Sequence, residues 1–203
     1  MWAWLGPTLL FVGAMITLWV TNFRADKREW NKWRRDTLVK LCADAITESQ
    51  EAVAMCESAL SQARHVSAQA NLTSASKAAA RIGTIAEQLY LINANYLADA
   101  CASMRTAADA INSPASQLRT ANINASSRRE RELKQLNEQG PGWFVEGSDA
   151  EREYMAKFSE IHERIHQQMV AEYETRYSEA RDQLEAIRAR FLERGRIELK
   201  PIS

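Results

Sequence analysis

The chain opens on an unbroken apolar run and then turns amphipathic. Residues 2–20, WAWLGPTLLFVGAMITLWV, carry no charged side chain, and the first one after them is Arg24. At about 1.5 Å per residue the run spans about 28 Å, close to the hydrocarbon thickness of a bilayer. Trp2 and Trp4 stand at one end and Trp19 at the other, where aromatic rings favour the headgroup level. The run predicts a transmembrane helix over residues 1–23. It does not read as a cleavable leader, because no basic residue precedes it and no small-residue cleavage site follows Val20.

Beyond Arg24, apolar positions recur every three or four residues, the helical period. Trp30, Trp33, Leu38, Leu41, Ala45, Ala52 and Cys56 begin a stripe that predicts a helix over 24–70, closed by a turn at 69–71 with Asn71 or Thr73 as the next N-cap. A second stripe, including Ala75, Ile82, Leu89, Tyr96, Met104 and Ile111, predicts a helix over 72–112. Asn93 falls on that stripe. Either it is a buried residue that fixes helix register, or the face rotates and Ile92 packs in its place; the second is favoured. Ser113-Pro114, a good cap followed by a good first helical residue, predicts a boundary and a third helix over 114–137. Gly140-Pro141-Gly142 then breaks the chain. Trp143, Phe144 and Val145 follow in a loop, where they either cap the core or form a docking tip for a partner. Ser148 with Glu151 three residues on is a capping box opening a last helix over 149–194, which Gly195 ends, leaving 196–203 as a tail.

The expected fold is all-α: an N-terminal transmembrane helix followed by a bundle of long antiparallel helices over 24–195. The last stripe, Tyr154 through Phe191, repeats at about 3.7 residues, which suits a bundle better than a left-handed coiled coil. One mismatch follows. The third helix spans about 36 Å and the last about 67 Å, so they cannot pair along their full lengths. Leu184, Ile187 and Phe191 need cover from the first hairpin, an unrelated protein or a second copy. A homo-oligomer with those residues in contact is the expectation.

Charge refines this picture. Lys and Arg number 26, as do Asp and Glu, so overall charge gives no argument for nucleic-acid binding. The distribution is uneven: Arg24, Lys27, Arg28, Lys32, Arg34 and Arg35 follow the apolar run, and no basic side chain precedes it. Basic flanks stay in the cytoplasm, which predicts an inner (plasma) membrane protein with its N-terminus outside and its helical domain cytoplasmic. Trp30 and Trp33 lie inside the basic flank. They either dip into the lipid interface or begin the core face of the first helix, and the two are compatible. Cys42, Cys56 and Cys101 form no C-x-x-C pair and suit buried thiols in a reducing compartment.

One motif suggests chemistry. His162-Glu163-Arg164-Ile165-His166 matches H-E-x-x-H, which on a helix places two imidazoles on one face to hold zinc while Glu163 polarises a bound water. Its surroundings, Glu160, Arg164 and Gln168, are charged or polar, and no third ligand stands out among the nearby glutamates. The expectation is that the motif is structural and the chain holds no cofactor.

The stretch TNFRADKREWNKWRRDTLVKLCADAI, with the apolar run before it, resembles a loose group of bacterial and phage single-pass membrane proteins. They share an N-terminal span, a W-x-x-W-R-R-D-like flank and an Ala-rich helical domain. The resemblance covers about the first 50 residues and implies the architecture without an activity. The sequence thus points to a non-enzymatic, membrane-anchored interaction or assembly module facing the bilayer and a protein partner. The alternatives are a membrane-bound zinc hydrolase at 162–166, or a spanin-like phage lysis component. The latter requires an exported domain, which the basic flank opposes.

Overall fold

A computed structural model describes residues 5–62, 65–139 and 148–199, with side chains described from Lys27 onward apart from His65 and Gln139. Six helices occupy them: α1 (Leu5–Ser61), α2 (His65–Leu91), α3 (Asn95–Ala110), α4 (Asn112–Gln139), α5 (Asp149–Met169) and α6 (Ala171–Glu198). The described residues contain no strand, and the all-α expectation holds. Among them no helix is long and apolar enough to cross a membrane. The side chains of run 2–20 lie outside the described ones, so the span over 1–23 rests on the sequence. Helix α1 nevertheless begins at Leu5, which joins that run and the basic flank in one continuous helix.

The chain reverses at places the sequence did not mark. Helix α1 ends at Ser61 and α2 has begun by His65, ahead of the turn expected at 69–71. Asn71 is inside α2, where its Nδ2 donates to Ser58 Oγ at 2.9 Å and ties the hairpin together. Thr73 bonds back to the Gln69 carbonyl, as hydroxyls inside helices do. Arg81 crosses the same hairpin to Glu48 and Glu51 at 2.6 and 3.0 Å.

The predicted 72–112 helix is two helices. Asn93 adopts a left-handed φ of 58°, with its N–H on the Tyr90 carbonyl (3.0 Å) and that of Ala94 on the Leu89 carbonyl (2.9 Å). This bond pair is the Schellman ending of a helix, with Asn in the place glycine usually fills. Asn93 therefore does not fix a buried register. It is exposed while Ile92, Leu89 and Ala94 are buried. The turn also shifts the stripe, so Tyr96 faces out and Leu97 and Ala98 pack.

Ser113-Pro114, by contrast, does not reverse the chain. Only Ile111, buried and with helical φ and ψ, separates α3 from α4. Proline in the first turn of a helix costs little, because those N–H groups lack partners anyway. Helices α3 and α4, of 16 and 28 residues, thus form one rod of about 66 Å. The predicted last helix bends at Val170 (φ −120°, ψ −44°), where α5 of 21 residues meets α6 of 28, a rod of about 74 Å. The length mismatch disappears. Ser148 caps α5 as predicted, accepting from the Glu151 N–H at 3.2 Å. Gly195 does not end α6. It is buried inside the helix, where a Cβ would stand 3.7 Å from Cys42 Sγ, an ordinary contact between α6 and α1.

The result is an up-down bundle of four rods: α1, α2, α3–α4 and α5–α6. Its core runs from Leu38 on α1 through Ile82 and Leu89 on α2 and Leu97 and Met104 on α3 to Leu184 and Phe191 on α6. Numerous buried alanines, among them Ala45, Ala52, Ala75, Ala79, Ala98 and Ala108, let the backbones come close. Helix α5 touches only α4 and α6, so the ends of α4 and α5 form a two-helix arm beyond the α1–α2 hairpin.

Candidate functional site

The basic flank lies where α1 enters the bundle. Trp30 and Trp33 are 54% and 49% exposed, so neither begins the core, which starts at Leu38. Their rings stack on each other at 4.9 Å. Lys27, Arg28, Lys32 and Arg35 surround them, exposed and without an ion pair among the described residues. Arg34 differs: its Nε donates to the Ile92 carbonyl at 3.3 Å, and its guanidinium meets Glu198 at 3.8 Å. Arg194 donates to the Tyr96 carbonyl at 3.1 Å. One guanidinium thus links α1 to the α2–α3 turn and the end of α6, and the other holds α6 to α3. Periodicity placed Tyr96 on the core stripe and did not single out Leu91 or Ile197; all three are exposed at this same end. Trp2 and Trp4 lie outside the described residues, as do the side chains of Trp19 and Arg24.

The H-E-x-x-H residues sit on the arm and face separate partners. The His162 Nε2 is 2.9 Å from Arg129 Nη1, and its ring stacks on Phe158. A guanidinium at that nitrogen opposes a second cation there. His166 Nε2 reaches across the Val170 bend to Glu174 at 3.1 Å, and Glu163 accepts from Gln167 at 2.9 Å. Among the described residues no three metal-ligating side chains gather at one point. Glu132 bridges Arg128 on α4 and Arg164 on α5. The hydrogen bond from Arg128, helped by the Arg164 guanidinium, holds the Glu132 carboxyl below the usual carboxylate range.

A cleft of about 670 Å³ opens where α4 faces the Val170 bend, lined by Ser116, Thr120, Asn124, Gln168, Glu172 and Arg176. These are hydroxyls, amides and one Arg176–Glu172 ion pair, a set for hydrogen bonding without a nucleophile and base side by side. The three cysteines are buried and unbridged. Burial pushes Cys42 and Cys56 up to about 11 and Cys101 to about 12. Cys56 donates to Asn112 Oδ1 at 3.3 Å and Cys101 to the Ile82 carbonyl at 3.4 Å, so they act as packed donors and not as nucleophiles.

The expected partner residues divide. Trp143 and Phe144 lie outside the described residues. Leu184 and Phe191 are fully buried inside this chain and Ile187 packs against the same cluster. They are core residues, covered by α1, α3 and α4, and no second copy is needed to shield them. Compared with known protein families, curated proteins and solved structures, the chain matches none.

Proposed function

We propose that the chain is a single-pass, membrane-tethered helical module that recruits or assembles protein partners at the cytoplasmic face without catalysing a reaction. The observation that carries this reading is the exposed, stacked Trp30–Trp33 pair among exposed Lys and Arg, on the same helix as an uncharged run of bilayer length. Tryptophan at half exposure is costly in water and favoured between headgroups. The non-catalytic part is supported by the cleft between α4 and the Val170 bend, whose lining suits binding, and by the divergent partners of His162 and His166. The basic flank orients the chain with its N-terminus outside.

Two measurements test the proposal. The full chain should resist alkaline carbonate extraction from membranes. A reporter active only in the cytoplasm should work when fused after Ser203. Release by carbonate removes the tether, and activity of an export-dependent reporter alone reverses the orientation and favours the lysis alternative.

A further inference from the structure

Val66, Ile123 and Met155 are exposed singly along the bundle and its arm, whereas five of the exposed large apolar side chains gather at one end of the bundle. Leu91 is 83% exposed, Tyr96 73% and Ile197 61%, joined by Trp30 and Trp33. Arg34 fixes their level. It bonds the carbonyl of Ile92, next to Leu91, and the carboxylate of Glu198, next to Ile197. Trp30 lies four residues, about 6 Å of helix, toward the apolar run. It also precedes Leu41 by eleven residues, about three full turns, so it projects from the core side of α1, beneath the α2–α3 turn and the end of α6. The patch is a set of separate protrusions with Lys27, Arg28, Lys32 and Arg196 exposed among them. Aromatic and aliphatic points among cations match an anionic lipid surface better than the continuous groove of a protein contact.

Height decides the geometry. The uncharged stretch ends at Phe23, and Arg34 lies about 16 Å of helix beyond it. The headgroup layer is only about 5–8 Å deep on each side. An upright α1 would hold Leu91 and Ile197 in water. Membrane helices tilt by about 20° on average and up to about 40°. Because the patch lies on the bundle side of α1, leaning that way lowers it.

We propose that the base of the bundle, formed by Trp30, Leu91, Tyr96 and Ile197, is a docking surface for anionic lipid headgroups, and that it holds α1 tilted toward the bundle side. This deepens the tethered reading and rests on it.

The test places a nitroxide on the full chain in vesicles of phosphatidylcholine with about one-third phosphatidylglycerol. Leu91→Cys carries the label, with Ile123→Cys on α4 as the solvent control. The three native thiols are buried and react slowly. Collision with a water-soluble nickel chelate should be reduced by at least about twofold at position 91 relative to 123. The protection should fade at high salt or in Lys27→Glu with Arg28→Glu and Lys32→Glu, since such attraction is screened. Equal nickel access at both positions in a carbonate-resistant chain overturns the docking and leaves the tether standing. Protection of position 91 that grows with the protein-to-lipid ratio shows that a second copy covers the patch and also overturns it. A chain that carbonate releases removes both readings.

Discussion

Replacing Leu184 with Ala separates a core covered within one chain from a stripe covered by a second copy. Leu184 is fully buried in the cluster that includes Leu97, Met104 and Phe191. Burying such a side chain contributes about 1.5–3 kcal/mol, and its loss leaves a void whose cost adds to this. The cluster is unusually rich in alanine, which has no flexible end to move into a cavity, so the void should persist. We expect a cost of about 3–4 kcal/mol, in the middle of the range for buried leucines. For a chain near 200 residues each kcal/mol lowers Tm by about 2–4 °C, giving a fall of about 6–16 °C. The assay is thermal melting of the full chain in detergent, followed by helical circular dichroism at several protein concentrations. The fall should be the same at each concentration, because the cover is intramolecular. A loss under about 1 kcal/mol, or a Tm that rises with concentration in the parent and no longer does so in Leu184→Ala, would refute the reasoning and restore pairing between copies.

Other expectations follow from single positions. Asn93→Gly should leave Tm nearly unchanged or raise it, whereas Asn93→Val should cost about 1–2 kcal/mol, since a branched side chain resists the left-handed region; equal effects would mean that the turn has another geometry. Gly195→Ala should stabilise by about 0.5–1 kcal/mol, because the added methyl meets Cys42 at ordinary contact distance and glycine is costly inside a helix; a lower Tm would show that α6 sits closer to α1. Burial raises Cys42 and Cys56 from 9.0 to about 11, Cys101 to about 12 and Tyr177 from 10.0 to about 12. The folded chain therefore holds these protons above the pH at which the unfolded chain releases them. Their contribution is complete below about pH 9 and is lost as pH rises toward 11–12; a Tm that stays flat across that range would contradict the burial. Zinc should leave Tm unchanged, and Glu163→Gln should leave function intact; a zinc-dependent rise that His162→Ala removes would reinstate a metal site.

The apolar stripes were legible because burial follows helical period whatever the connections. Tyr154, Phe158, Ile161, Ile165, Met169, Tyr173, Tyr177, Leu184 and Phe191 all lie on the covered side of α5 and α6 despite the bend between them. The reversals were harder to read. The sequence between α1 and α2 contains neither glycine nor proline, and Asn93 takes a conformation that sequence signals more strongly through glycine. Ser113-Pro114 gives a strong signal for the start of a helix, but a start need not be a reversal. Gly195 was read as an ending because glycine near a C-terminus usually is one, and its packing against Cys42 depends on a residue far away in sequence. The same limit applied to the histidines. The partner of His162 is Arg129, 33 residues earlier, and nothing in the motif announces it.

The bend at Val170 leaves α5 and α6 close to one continuous rod of about 74 Å. At physiological ionic strength electric fields decay over about 8 Å. The two ends of the molecule are therefore electrically insulated from each other by many decay lengths. The Arg–Glu–Arg bridge at Glu132 and the Arg129–His162 contact experience bulk solution, whatever potential surrounds Lys27 and Arg28. Salt or a charged ligand at the arm can remodel its pairing without changing how the base is held, and the ionic conditions that each end requires can be chosen independently.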